Sequence, residues 1–86
     1  MFFIVNHAIS NVPEFWGAAQ RELPNLPAGI RVHLVFPNAA GDAATCLWEC
    51  GDQATLEGYL EAQTGAFAKN SYLAVDASKA MGLPAV

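Results

Sequence analysis

Ala44-Thr45-Cys46-Leu47-Trp48-Glu49-Cys50-Gly51-Asp52 is the stretch whose reading decides the fold. Apolar, aromatic and β-branched residues run up to Gly51, and Asp52 then offers a side-chain oxygen to cap a helix. The stretch predicts a central strand that stops at Gly51 and passes directly into a helix beginning at Asp52.

Working backward, residues 30–37 read as the preceding strand, with Ile30, Val32, Leu34 and Phe36 on one face and Arg31, His33 and Val35 on the other. A hairpin folded about Ala40 sets Arg31 opposite Glu49, His33 opposite Leu47 and Val35 opposite Thr45. That register gathers Cys46, Trp48 and Cys50 onto the face of the four apolar residues. Residues 2–9 are rich in aromatic and β-branched types and read as a first strand covered on both sides. Asn11 as N-cap, Pro13 in the first turn and Glu14 three residues after Asn11 open a helix, whose apolar face is Val12, Phe15, Trp16, Ala19 and Leu23. Pro24 ends it.

Working forward, Ala54, Leu56, Tyr59, Leu60 and the stem of Gln63 form the apolar face of the helix that Asp52 caps, closed by Thr64-Gly65. Residues 71–75 form the last strand, residues 76–82 add one helical turn, and the apolar tail at residues 83–86 is expected to pack on the domain or on a partner.

Strand, helix, strand, strand, helix, strand in one domain over residues 1–86 is an α+β order. Right-handed crossovers turn it into a ferredoxin-like βαββαβ sandwich: a four-stranded antiparallel sheet, both helices on one side, with strands one and three placed as central neighbours running parallel. One sheet face is left bare.

The chain is 53% hydrophobic and only 14% charged. A chain of 86 residues buries little more than half of its unfolded surface, so such a surplus of apolar side chains points to a face buried against a second copy. The net charge of −4, with Arg21, Arg31, Lys69 and Lys79 as the scattered cations, argues against a nucleic-acid partner. The apolar opening at residues 1–5 is short, follows no basic residue and meets Asn6 and His7 at once, so neither a signal peptide nor a membrane partner is expected. Cys46 and Cys50 on one strand would lie ~13 Å apart, too far for a disulfide, and free thiols suit a reducing cytoplasm.

By parity, His7, Arg31, His33, Thr45 and Glu49 share the bare face. His7 and Glu49, placed near the C-terminal ends of parallel neighbours, form a candidate catalytic pair in which the carboxylate orients the imidazole as a general base. Arg31, His33, Asn70 and Tyr72 are candidate ligand-binding residues. The competing readings are a cross-strand Arg31–Glu49 ion pair, histidines hydrogen-bonded within the fold, and Tyr72 at a dimer interface. His7, His33 and Glu49 could also reach one divalent ion, although neither a metal nor a cofactor is assigned.

The opening at residues 3–7, Phe15-Trp16, Cys46-Leu47-Trp48-Glu49, and Gly65 followed by Asn70-Ser71-Tyr72 and Val75-Asp76 together resemble the dimeric α/β-barrel superfamily, in which two ferredoxin-like subunits close their open sheets around a shared interior. Its members include cofactor-free monooxygenases, haem-degrading enzymes, lactone isomerases and a nickel-binding protein. The resemblance implies a homodimer that binds a small organic ligand or converts it without a cofactor, in a monooxygenase-like or isomerase-like way. The alternative is a non-enzymatic metal-binding or accessory dimer. Haem-degrading members place a His on the second helix; residues 52–65 contain none.

Overall fold

A computed structural model describes residues 1–84. The elements are β1 (Phe2–Ile9), α1 (Val12–Glu22), a 3-10 turn (Leu23–Asn25), β2 (Arg31–Pro37), β3 (Ala43–Glu49), α2 (Gln53–Thr64) and β4 (Ala68–Ala74). The helix starts follow the capping chemistry of the sequence: Asn11 accepts from the Glu14 N–H at 3.2 Å and Asp52 from the Thr55 N–H at 2.7 Å. Strand β4 begins earlier than residue 71. Residues 76–80 make a hydrogen-bonded turn in which the Asp76 carbonyl accepts from Lys79 and Ala80. Of the apolar tail, Ala85 and Val86 lie outside the described residues.

The open sheet has the order β2-β3-β1-β4, and each neighbouring pair is antiparallel. The expected parallel arrangement of β1 and β3 is therefore corrected. β2–β3 is a hairpin, and the α1 crossover makes β1 run with β2, so β1 opposes β3. Phe2 pairs with Glu49, and His7 with Ala44.

Both helices cover one face. Phe3, Val5, Cys46, Trp48 and Cys50 pack with Leu56 and Leu60 of α2, and Ile9 and Ala44 pack with Phe15 of α1. Phe3 and Val5 are fully buried. Burying them fixes the parity of β1, and His7 inherits the same covered side.

The β2–β3 register departs from the hairpin about Ala40. Arg31 pairs with Glu49 and Val32 with Trp48, but then Leu34 pairs with Leu47, Val35 with Cys46 and Phe36 with Thr45, leaving a bulge at His33. Two local demands disagree by one residue. At the open end, Val32 must meet Trp48 in the core. At the closed end, the turn is set by its own hydrogen bonds: Asn38 N–H to the Ala43 carbonyl at 2.9 Å, the Ala43 N–H to Asn38 Oδ1 at 3.1 Å, and Asn38 Nδ2 to Asp42 Oδ1 at 2.7 Å. Gly41, at φ 76°, supplies the left-handed residue that this turn needs. The extra residue at position 33 absorbs the difference. Leu34 and Phe36, expected in the core, consequently point to the uncovered face.

Candidate functional site on the uncovered sheet face

The uncovered face is read from the register. Phe2, Ile4, Asn6 and Ala8 of β1 align with Glu49, Leu47, Thr45 and Ala43 of β3, and from Ile4 onward with Leu73, Ser71 and Lys69 of β4. Leu34 and Phe36 of β2 extend it. It carries three bands. At one end, His33 Nε2 lies 2.8 Å from Glu49 Oε1, and the imidazole also packs at 5.6 Å on the Phe2 ring. A bulge re-aims a side chain out of strict alternation, and here it brings His33 to the carboxylate. Arg31, although opposite Glu49 in the register, makes no ion pair among the described residues; the expected Arg31–Glu49 pair is replaced by His33–Glu49.

The middle band is apolar. Ile4, Leu34, Leu47 and Leu73 line a groove of about 490 Å³, walled by the segment from Lys79 to Leu83. The third band is polar. The Thr45 hydroxyl donates to Asn6 Oδ1 at 2.7 Å, leaving the Asn6 amide N–H groups without a hydrogen-bond partner among the described residues, and Asn6 pairs with Ser71 of β4. Asn6 lies between two further grooves, about 450 Å³ toward Lys69 and Ser71 and about 260 Å³ toward Phe36 and Asn38.

His7, Asn70 and Tyr72 lie on the other side. His7 is buried, its ring 5.1 Å from that of Phe15, so the proposed His7–Glu49 pair and a shared His7/His33/Glu49 ion are both corrected: these side chains project to opposite faces of the sheet. Asn70 Nδ2 donates to Glu61 Oε2 at 2.8 Å and to Thr64 Oγ1 at 3.2 Å. Its Oδ1 is therefore the acceptor for His7, at 2.5 Å. His7 Nδ1 thus carries the proton in the neutral ring. The Tyr72 hydroxyl donates to the same Glu61 oxygen at 2.7 Å.

Burial holds the His7 imidazole below its ordinary pKa of 6.5, opposed by the Asn70 hydrogen bond and the Glu61 charge. The hydrogen bonds from Tyr72 and Asn70 lower the Glu61 carboxyl, while burial and Glu61 raise the Tyr72 phenol. Glu61 and Thr64 escaped the sequence reading. They sit on the last turn of α2, where polar residues ordinarily face water, and only the position of β4 shows what they hold.

His7 also lines a cavity of about 40 Å³ between α1 and the sheet, with Phe15, Ala18, Trp48 and Leu60. That is far below the ~300–1,000 Å³ of small-molecule sites. Trp48 Nε1 is buried without a hydrogen-bond partner among the described residues. Cys46 and Cys50 are free and buried, and burial pushes the Cys46 thiol up to about 11, leaving it protonated and unreactive.

Among the described residues there is no group of three or more His, Cys, Asp or Glu side chains placed to hold a metal ion, and no helix is long and apolar enough to cross a membrane. The chain matches no family model, and no curated protein or solved structure matches it.

Proposed function

We propose that the chain is a ferredoxin-like subunit whose uncovered face closes on that of a second copy, as in a dimeric α/β barrel, to form a chamber that binds a small organic molecule. The observation that carries this reading is the row of large apolar side chains left to solvent: Leu34, Phe36 and Leu73 are 42%, 60% and 61% exposed on one continuous face. Burial against a partner removes that area from water at ~25 cal/mol per Å². The polar groups set into the face, Asn6, Thr45 and Ser71 in one band and His33 with Glu49 in another, are what a ligand chamber requires beyond a plain interface.

The imidazole positioned to act on a bound molecule is His33. Glu49 holds the ring in place through the Nε2 contact, so His33 would serve as a general base that takes a proton from the ligand and returns it without a cofactor. Arg31 borders the same band as an unpaired cation among the described residues. His7, Asn70 and Tyr72 act indirectly in this scheme, by fixing β1 and β4 against α2.

Native mass spectrometry of untagged protein tests the reading. A dimer that carries a non-covalently bound organic mass, released on denaturation, supports it. A dimer that is always empty and binds no organic molecule in a solubility-matched library is an accessory dimer with a filled interface, and the chamber is then wrong.

A further inference from the structure

Lys69 stands apart on the uncovered face. It pairs with Ala8, next to the Asn6–Ser71 pair, and lines the groove of about 450 Å³ together with them. The ion pairs among the described residues are Arg21–Glu22, His33–Glu49 and Lys79–Asp76, and none engages Lys69. Asp42 also lines this groove; its Oδ1 accepts from Asn38 within the β2–β3 turn, and it makes no ion pair with Lys69 among the described residues.

Two neutral donors line the groove with Lys69: the Asn6 amide, whose oxygen is occupied by Thr45 and whose N–H groups make no hydrogen bond among the described residues, and the Ser71 hydroxyl. A cation and two N–H or O–H donors within one groove form an anion-binding set. Small residues, Ala8 and Ala43, leave the space open above them. Four residues along β1, at ~3.3 Å each, lead from this set to Ile4 and the apolar groove with Leu34, Leu47 and Leu73, ~13 Å away.

We propose that the ligand is an amphipathic carboxylate whose apolar body lies on Ile4, Leu34, Leu47 and Leu73 and whose carboxylate meets Lys69, Ser71 and Asn6. This rests on the chamber reading above. Once two faces close, the Lys69 ammonium loses water and needs a counter-charge, which the carboxylate provides. Arg31 lies at the other end of the face, separated from the Lys69 groove by the apolar band of Ile4, Leu34, Leu47 and Leu73.

Calorimetric titration of the intact protein with decanoate, decanol and decyltrimethylammonium, with sedimentation in parallel, tests this. Decanoate is expected to bind at least tenfold tighter than decanol and the ammonium compound. Lys69→Ala should remove that preference, whereas Arg21→Ala, on α1 and away from the chamber, should change decanoate affinity less than twofold. A dimer that binds decanoate and decanol equally, that keeps its preference in Lys69→Ala, that loses it only in Arg31→Ala, or that binds none of the three overturns the carboxylate assignment while leaving the dimer in place. A monomeric mass overturns the chamber itself.

Discussion

His33 Nε2 lies 2.8 Å from Glu49 Oε1 even though Arg31 is the residue opposite Glu49 in the strand register. The bulge at position 33 makes this contact, because it inserts a residue exactly where regular alternation would have sent His33 opposite Leu47. The pair is partly exposed, with side chains 18% and 25% accessible, and an ion pair in that setting is worth at most ~1 kcal/mol. Its placement on the uncovered face therefore matters more to chemistry than to folding.

His33→Ala and Glu49→Gln are accordingly expected to lower stability by less than ~1 kcal/mol in urea denaturation. Each should remove turnover of any molecule the protein converts. A loss of several kcal/mol would instead make the pair a structural element of the bulge.

Trp48 separates packing from hydrogen bonding. It is 4% exposed within the main core, so Trp48→Ala should lose ~3–5 kcal/mol by chemical denaturation. Because its N–H has no partner, Trp48→Phe gives up some contact area but relieves an unsatisfied donor, and should cost clearly less than Trp48→Ala. Equal losses for the two would mean that the indole N–H is satisfied in solution.

The buried His7 sets a pH dependence of known sign. Its folded pKa is depressed below the unfolded value of 6.5, so the unfolded chain binds the proton more readily. The stability that neutral His7 contributes is fully present above pH 6.5 and is lost as the pH falls from there through the lowered folded value. Glu61, also depressed from 4.5, adds its loss only in the more acidic range. Urea denaturation at pH 7.5 and pH 5.5 should show wild type losing stability across the interval and His7→Gln losing less. Identical slopes would remove His7 as the cause.

Leu34 and Leu73 test the interface. Each is exposed and outside the helix-covered core, so Leu34→Glu and Leu73→Glu should leave the circular dichroism spectrum of the subunit unchanged while weakening self-association by at least tenfold. Unchanged association would place the contact elsewhere.

The element order, both N-caps and the core roles of Trp48, Cys46 and Leu56 were legible in the sequence, because each depends on local pattern: alternation, an Asn or Asp before a helix, a glycine at a turn. The candidate site was harder. Odd-number parity groups His7 with Arg31, Thr45 and Glu49 on the uncovered face, but parity carries between separate strands only through their register, and the register pairs His7 with Ala44 on the covered side. Leu34 and Phe36 looked like core because they share parity with Val32. Only the competition between the Asn38-centred turn and the Val32–Trp48 contact reveals the bulge that reverses them. Glu49, His33 and Arg31 reach the uncovered face as expected, with the partners of Glu49 exchanged.

Sedimentation equilibrium of the untagged protein at ~10–100 μM tests the central claim most directly. Closure of two uncovered faces predicts a single species of twice the 9.1 kDa chain mass, with no trend toward the monomer across that range. A particle of 9.1 kDa at the highest concentration would leave Leu34, Phe36 and Leu73 in water and would contradict the enclosed chamber.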